Sequence, residues 1–340
     1  MDKRLNYSEM GLRIMRDGYG RVIDYLRISV TDRCNFRCRY CMPPEGVNLF
    51  ESSEILSYEE LLRVITILGQ HGVSKIRLTG GEPLVRKGMV DFIRSVRAIG
   101  TVKDLAMTTN GSLLEGVAHQ LKGAGLDRIN ISMDTCNSEK FSHITGGGRV
   151  EDVLRGIASG IEAGLTPIKL NVVVTEVLSE EDISYFIDKI VKYPIAVRFI
   201  EYMPIGQLGV KPGFSIDGIK TMINKAGRGD LQSIAIAPGN GPARYYTLPQ
   251  ALGLFGFITP ISDHFCQSCN RIRLTADGKI KPCLLANQEI DSKIALRNGS
   301  NDKAIYALFL KALQAKTMGH RLGDNREGED LTRGMFQVGG

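Results

Sequence analysis

The alternation of strand-like and helix-like segments limits the fold of this chain more than any other feature. Six apolar, β-branched runs alternate with amphipathic helical segments between residues 24 and 202. The runs are DYLRISV (24–30), KIRLT (75–79), DLAMTT (104–109), RINISMD (128–134), IKLNVVV (168–174) and AVRFIEY (196–202). This alternation predicts a parallel sheet whose strands are joined by right-handed helical crossovers.

The number of repeats favours an open barrel over a closed one. Six units are fewer than the eight of a complete TIM barrel, so we expect an α/β fold, a partial TIM-type barrel of six β/α units. A doubly wound sheet has the same periodicity and stays an alternative. Among the helices, residues 57–72 begin with a capping box formed by Ser57 and Glu60, and residues 112–125 are predicted as one helix.

The regular alternation stops near residue 205. Stretches rich in Pro and Gly follow, then short strands and one helix, KAIYALFLKALQAK (303–316). We therefore expect an N-terminal extension (1–20), the partial barrel (21–205), a smaller C-terminal α+β region closing its open side (206–317) and a polar tail (318–340).

Composition and charge exclude several classes of protein. The net charge of +6 is spread along the chain, which does not predict nucleic-acid binding. The first twenty residues lack the apolar core of a secretion signal, and no apolar run is long enough to cross a bilayer. A cytoplasmic location without membrane or nucleic-acid partners is expected. Cysteines in that compartment stay reduced and serve metals or catalysis more often than disulfides.

Six of the seven cysteines occur in two groups. Cys34, Cys38 and Cys41 follow the first strand with the spacing C-x3-C-x2-C, and a second group lies in FCQSCNRIRLTADGKIKPCL (265–284). Closed zinc sites use four ligands, whereas three thiolates on an iron–sulfur cube leave one iron open. The second group comprises Cys266, Cys269 and Cys283; Cys136 remains, and a structural role is expected for it. Three arginines in the first cysteine loop would offset thiolate charge: Arg33, Arg37 and Arg39.

Basic residues occupy the predicted interior of the barrel. Strand parity turns Arg77 and Thr79 inward, and similar cations lie on other strands. The predicted set is Arg27, Arg77, Lys169 and Arg198, joined by Arg271 and Arg273 after the second cysteine group. Asp134 and Glu201 could pair with some of them, but a triphosphate satisfies several guanidinium groups at once. The sequence contains no Walker motif, so this would not be a P-loop site.

Two motifs resemble a known superfamily. The cysteine loop with Tyr40 before its last cysteine, and LTGGEPL (78–84) after the second strand, resemble the radical S-adenosylmethionine enzymes. Together with MTTNG, KLNVVV, VRFIEYMP, the second cysteine block and the terminal Gly-Gly, they resemble the GTP 3′,8-cyclase family, which begins molybdenum-cofactor biosynthesis. The likeness extends from about Arg21 to Gly340. This chain departs from it in its N-terminal extension, in Met133 where leucine is common, and in Cys136.

The resemblance implies cofactors and site residues. Each cysteine group would hold a 4Fe–4S cluster, and the first would cleave S-adenosylmethionine to a 5′-deoxyadenosyl radical. The radical would remove the 3′ hydrogen of GTP, and the sugar carbon radical would then attack C8 of the guanine. One electron and one proton would reduce the resulting nucleotide radical to the product. The implied S-adenosylmethionine contacts are Tyr40, Gly81, Ser132 and Met203. The implied GTP contacts are Arg27, Arg77, Thr108, Lys169, Arg198, Arg271 and Arg273, and the implied catalytic residues are Arg271, Arg273, Gly339 and Gly340.

The resemblance also implies partners. A reductant such as flavodoxin or ferredoxin would supply electrons, and cyclic pyranopterin monophosphate synthase would receive the product. The enzyme would be a monomer or homodimer. Two other functions fit parts of the pattern: another radical enzyme with an auxiliary cluster, such as a peptide modifier, and a non-enzymatic protein with two zinc sites.

Overall fold

Six parallel strands lie side by side in chain order at the centre of the sheet. The computed structural model describes residues 14–42, 46–205, 209–235, 241–320 and 333–339. The strands are β1 (Tyr25–Ser29), β2 (Lys75–Thr79), β3 (Asp104–Thr109), β4 (Arg128–Ser132), β5 (Lys169–Val174) and β6 (Ala196–Glu201). A doubly wound sheet would reverse its strand order at a switch point, and this sheet does not. The predicted six-unit partial barrel is therefore confirmed.

Six helices connect these strands and pack on the outer face of the sheet. They are α1 (Tyr58–Gly69), α2 (Met89–Ala98), α3 (Ala118–Gly123), α4 (Ser138–Thr145), α5 (Val150–Glu162) and α6 (Glu180–Lys192). The predicted capping box of α1 is present, with Ser57 and Glu60 bonding each other's backbone amides. The helix predicted over 112–125 is wrong in its first half. Its early residues form turns beside Gly111 and Gly116, and glycine disfavours helix by about 1 kcal/mol relative to alanine.

The C-terminal strands extend the same sheet at both of its edges. They are β7 (Gln232–Ser233), β8 (Arg244–Thr247), β9 (Leu254–Ile258), β10 (Arg271–Leu274), β11 (Lys279–Lys281) and β12 (Ile290–Asp291). Strand β10 pairs in parallel with β1, and β9 pairs in parallel with β6. The remaining helices are α7 (Ile216–Lys225), α8 (Lys293–Arg297), α9 (Asp302–Gln314) and α10 (Met335–Val338). The sheet order is therefore β12-β11-β10-β1-β2-β3-β4-β5-β6-β9-β8-β7.

The residues just before β1 pack against the barrel. The Met15 side chain is buried, and its backbone amide donates to the carbonyl of His71 after α1. Arg16 and Val22 form an isolated antiparallel bridge. Part of the segment predicted as an N-terminal extension thus contributes to the core. None of the described helices is both long and apolar enough to span a membrane.

Candidate active site

The first cysteine group lies in the loop after β1, at the carboxyl end of the parallel strands. Its three cysteines line one cavity together with all four residues predicted to contact S-adenosylmethionine. The walls of this first cavity include Cys34, Cys38, Cys41, Tyr40, Gly81, Ser132 and Met203. Active sites of parallel α/β folds occupy this end of the sheet.

Backbone contacts with a neighbouring helix fix the cysteine loop. The amides of Arg37 and Arg39 donate to the carbonyls of Thr145 and Ile144 at the end of α4. The Arg37 guanidinium also donates to the Cys34 carbonyl at 2.5 Å. These bonds hold the loop in place without using the thiols.

The glycines after β2 let two loops approach each other. The Gly81 amide donates to the Thr31 carbonyl at 2.8 Å, and a Cβ on Gly81 would lie 2.3 Å from the Arg33 carbonyl oxygen. A side chain at this position would therefore displace the cysteine loop. The sequence predicted close approach to a ligand here; the described backbone contact is with the cysteine loop itself.

Glu82, which the sequence analysis did not single out, joins the loops after β2 and β3. Its carboxylate accepts hydrogen bonds from the Thr109 hydroxyl and the Asn110 amide, both at 2.7 Å. Burial raises the pKa of Glu82 to about 7, although these hydrogen bonds favour the charged form. The sequence feature that could have identified Glu82 is its position between two glycines and a proline, in GGEP.

Burial is also the largest influence on the pKa values of the first cysteine group. It raises the pKa of the Cys41 thiol to about 12 and that of Cys38 well above its usual value, and the neighbouring thiols add to both effects. Burial likewise raises the pKa of Asp134 to about 6, although Tyr40 donates a hydrogen bond that favours the charged carboxylate. Thiols in such a place lose their protons readily only when a metal binds them.

The second cysteine group lines a second cavity. Cys266 and Cys269 lie in a 3₁₀ turn before β10, and Cys283 follows β11. Burial alone would raise the pKa of Cys269, but the charges of Arg271 and Lys316 and hydrogen bonds from Arg271 lower it to about 7. Cys269 is therefore suited to thiolate chemistry. Cys136 lines neither cavity, and its amide donates to Asp182.

The spacing of the sulfur atoms does not suit single metal ions. Among the residues that the structure describes, the one group of three ligand atoms close enough for a single ion comprises His264, Cys266 and His320, all within 4.8 Å. Tetrahedral zinc with bonds of about 2.3 Å would bring two sulfur ligands to about 3.8 Å. Neither cysteine group has its three sulfur atoms all within 4.8 Å of one another. Both fit a larger, multinuclear cluster better.

A row of arginines crosses the floor of the second cavity. Arg27 of β1 is in register with Arg273 of β10 on one side and with Arg77 of β2 on the other. Like charges directly opposite each other destabilise a sheet. The ion pairs among the described residues include none from Arg77, Arg198, Arg271 or Arg273 to a carboxylate. The row is therefore suited to an anionic ligand.

Most of the predicted GTP contacts line this second cavity. They are Arg27, Arg77, Thr108, Arg198, Arg271 and Arg273. Lys169 is not among the residues that line it and is 1% exposed. The two carboxylates proposed as partners are used elsewhere: Asp134 accepts from the Val173 amide, and Glu201 accepts from the amides of Ile261 and Ser262.

Neutral side chains orient these cations. The Asn171 carbonyl oxygen accepts two hydrogen bonds from Arg198, one of them at 2.9 Å from Nε. The Tyr25 hydroxyl accepts a hydrogen bond from Arg77. Sequence analysis missed both residues, although each is two positions from a predicted interior cation on the same strand. Neutral partners leave the cationic charge available to a ligand.

The two cavities adjoin. Five residues line both of them: Thr108, Asn171, Ile200, Met203 and Met335. A group formed beside the first cysteines can therefore act on a ligand held beside the second without crossing bulk solvent.

The end of the chain lies between the two cysteine groups. The Phe336 amide bonds the Cys41 sulfur, and Arg273 donates to the Gly339 carbonyl at 2.5 Å. Phe336 and Val338 are buried, so the tail has an apolar face that the sequence analysis did not predict. Gly340 lies outside the described residues.

Two family models match consecutive parts of the chain. The Radical SAM superfamily matches residues 28–190, and Molybdenum Cofactor Synthesis C matches residues 195–322. The first match contains the first cysteine group, and the second contains the other. Together they include both cysteine groups.

Curated relatives match along nearly the whole length. A protein from Heliobacterium modesticaldum named GTP 3′,8-cyclase is 46% identical over 331 residues, covering 96% of this chain and 100% of that protein. One from Syntrophomonas wolfei with the same name is 44% identical over 337 residues, with the same coverage. The structure of Streptococcus suis SuiB bound to precursor peptide SuiA has a TM-score of 0.63 at 15% identity, covering 91% of this chain and 69% of that chain. That likeness shows a common fold.

Proposed function

Because this chain belongs to the GTP 3′,8-cyclase family within the radical S-adenosylmethionine superfamily, we propose that it converts GTP to (8S)-3′,8-cyclo-7,8-dihydroguanosine 5′-triphosphate. The observation that carries this proposal is the pair of adjoining cavities. Each contains three cysteines, and one of them has a floor of arginines.

The first cavity would hold one 4Fe–4S cluster on Cys34, Cys38 and Cys41 and S-adenosylmethionine beside it. When bound, the two supply a 5′-deoxyadenosyl radical. Tyr40, Gly81, Ser132 and Met203 would position the cofactor, since all four lie on the same cavity wall. The hydrogen bond from Tyr40 to Asp134 keeps the tyrosine ring beside the cysteines.

The second cavity would bind GTP in a fixed orientation. Arg27, Arg77 and Arg198 offer guanidinium groups to the triphosphate, and Thr108 lies where the two cavities meet. Buried Lys169 would add positive charge to this region once the triphosphate has raised its pKa. Guanidinium forks match phosphate oxygens and remain charged even when buried.

The second cysteine group would hold a second 4Fe–4S cluster that binds the purine. Arg271 and Arg273 lie on the same face of β10 as the cavity, so they would contact the nucleotide close to the reacting atoms. Holding the sugar carbon near the base is the main way in which the chain would promote ring closure. The Gly339 carbonyl, bonded to Arg273, fixes that guanidinium.

Apolar residues would protect the reactive species from solvent. Ile200, Met203 and Met335 line both cavities, and the tail covers the region between them. Excluding water prevents side reactions of a radical.

The partners follow from this chemistry. The radical reaction requires single electrons, which flavodoxin or ferredoxin would supply. The cyclised nucleotide would pass to cyclic pyranopterin monophosphate synthase. We place the enzyme in the cytoplasm as a monomer or homodimer, without membrane or nucleic-acid partners.

The decisive test is anaerobic turnover. Purified, reconstituted protein is incubated with GTP, S-adenosylmethionine and dithionite, and products are identified by mass spectrometry. We expect cyclised GTP, 5′-deoxyadenosine and about eight irons per chain if both sites hold cubes. A colourless protein that binds zinc at both cysteine groups would contradict the proposal.

A further inference from the structure

Two basic side chains, Lys316 on the wall of the second cavity and Arg21 outside both cavities, bond the backbone around the second cysteine group. This group is assembled from separate segments, the turn containing Cys266 and Cys269 and the strand end before Cys283. Arg21 precedes β1, and Lys316 follows α9. Neither residue has a place in the proposed function so far.

Lys316 joins the two segments that carry the cysteines. Its side chain is buried, with the residue 5% exposed. The ammonium donates to the Arg271 carbonyl at 3.0 Å and to the Pro282 carbonyl. Arg271 is two residues after Cys269, and Pro282 directly precedes Cys283. One cation therefore holds both sides of the group.

Arg21 makes the corresponding contacts at the first cysteine of the group. Its guanidinium donates to the Cys266 carbonyl and to the Thr317 carbonyl, both at 2.7 Å. Its Nε atom pairs with Asp17 at 2.5 Å, and the two side chains are 9% and 0% exposed. The segment after α9 is thus tied to the turn that contains Cys266.

The two cations differ in whether a neighbouring carboxylate neutralises them. Asp17 neutralises Arg21, whereas no ion pair among the described residues joins Lys316 to a carboxylate. Burying an ammonium against carbonyls alone is unfavourable unless negative charge lies nearby. A cluster bound by the thiolates of Cys266, Cys269 and Cys283 would supply that charge, and Lys316 lines the same cavity as these cysteines.

We propose that Arg21 and Lys316 are positioning residues for the second cysteine group, and that Lys316 also raises the reduction potential of a cluster bound there. The inference rests on the proposed function, which assigns a cluster to these cysteines. Arg21 acts only by holding the backbone at Cys266 in place, because Asp17 neutralises its charge. Lys316 acts through geometry and charge, since a nearby positive charge favours the reduced, more negative state.

The experiment isolates the second group in the full-length chain. In a parent with Cys34, Cys38 and Cys41 replaced by alanine, any remaining cluster belongs to the second group. Iron per chain and the midpoint potential, from a redox titration followed by electron paramagnetic resonance, are measured in this parent. Lys316→Met, Lys316→Arg and Arg21→Met are then introduced, with exposed Lys311→Met as the matched control.

Each variant has its own expected result. Lys316→Met should shift the potential to more negative values and weaken cluster affinity by about 10- to 100-fold. Lys316→Arg should keep the parent potential even if it loses some iron. Arg21→Met should lose iron without a shift in potential, and Lys311→Met should match the parent.

The outcomes separate this inference from the proposed function. A parent without any cluster at the second group, in a chain whose circular dichroism is native, contradicts the proposed function itself. A loaded parent whose potential is unchanged by Lys316→Met overturns the charge role of Lys316. Full iron retention in both Lys316→Met and Arg21→Met overturns the positioning role.

Discussion

At the scale of single residues, the charge state of Lys169 would couple the proposed binding of GTP to pH. Burial, together with the charges of Arg198, Arg128 and Arg77, lowers its pKa to about 6. Lys169 is therefore mostly neutral at pH 7. A bound triphosphate would bring negative charge and raise this pKa, so binding would be accompanied by proton uptake.

We expect GTP affinity to rise as the pH falls from about 8 towards 6, and to level off below the ligand-free pKa of Lys169. Titration calorimetry in two buffers with different ionisation enthalpies measures the protons taken up. Glu82 and Asp134 also titrate in this range, so the informative quantity is the difference from Lys169→Met. Equal proton uptake by the wild type and Lys169→Met would exclude this role.

Single cysteine substitutions should separate the two cavities. Cys38→Ser should abolish 5′-deoxyadenosine formation, because the first cluster requires three thiolates. Cys269→Ser should retain some uncoupled cleavage of S-adenosylmethionine while forming no cyclised GTP. Chromatography of both products gives the answer. If two folded variants lose cleavage equally, the division of roles is wrong.

The positions of the cysteine groups and of the interior cations could be predicted from the sequence, and the residues that hold them in place could not. The cysteine spacing is local, and strand parity places Arg27 and Arg77 inside the barrel. Tyr25 obeys the same parity, but nothing in the sequence says that its hydroxyl bonds Arg77. The contacts of Lys316 could not be predicted either, because its partners are backbone carbonyls that only the fold brings together.

At the scale of secondary-structure elements, helix α10 connects the two cavities. Its first turn contacts Cys41, and its last residue leads to Gly339, which has a φ of +70°. A Cβ on Gly339 would lie 2.5 Å from Thr79 Cγ2. The backbone at this point requires glycine for its conformation and for the available space.

Deleting residues 339 and 340 should leave folding and both clusters intact, because Phe336 and Val338 keep their buried contacts. Cyclisation should fall strongly, since Arg273 loses its Gly339 acceptor. Product formation, iron content and thermal unfolding are measured together. Full cyclase activity in the shortened chain would mean that the tail is dispensable.

Gly339→Ala tests the same element without shortening it. Left-handed backbone costs a residue with a Cβ about 1–2 kcal/mol, and the contact with Thr79 adds to this cost. We expect slower cyclisation and faster proteolysis of the tail. Adding Thr79→Ser removes Cγ2 and should recover part of the loss. Gly123→Ala, where a Cβ meets no atom within 4 Å, is the matched control.

At the scale of the whole molecule, the C-terminal region is part of the central sheet. Sequence patterns predicted β9 and β10 as strands, but their partners depend on long-range register, which no local pattern encodes. The boundary predicted at residue 205 therefore separates segments of the chain whose strands pair directly with each other. Strands β1 and β6 each have a C-terminal strand as their outer neighbour.

A chain ending at residue 205 should consequently fail to remain monomeric. Both β1 and β6 would expose unpaired edges, and exposed edges of apolar strands favour aggregation. Light scattering of this fragment beside the full-length protein tests the expectation. A monomeric fragment with native circular dichroism would show that the first six units fold independently.

The pairing of β1 with β10 also determines when, during synthesis of the chain, the sheet can be completed. Asp24 and Asn270, which flank these strands, share a hydrogen bond across 246 residues of sequence. Contacts of such separation form slowly, and a ribosome must finish most of the chain before they can form at all. The strand that precedes Cys34 thus gains its last neighbour only after Cys266 and Cys269 have been synthesised. Under the proposed function, insertion of both clusters would therefore be a late event, and each would enter a nearly complete chain.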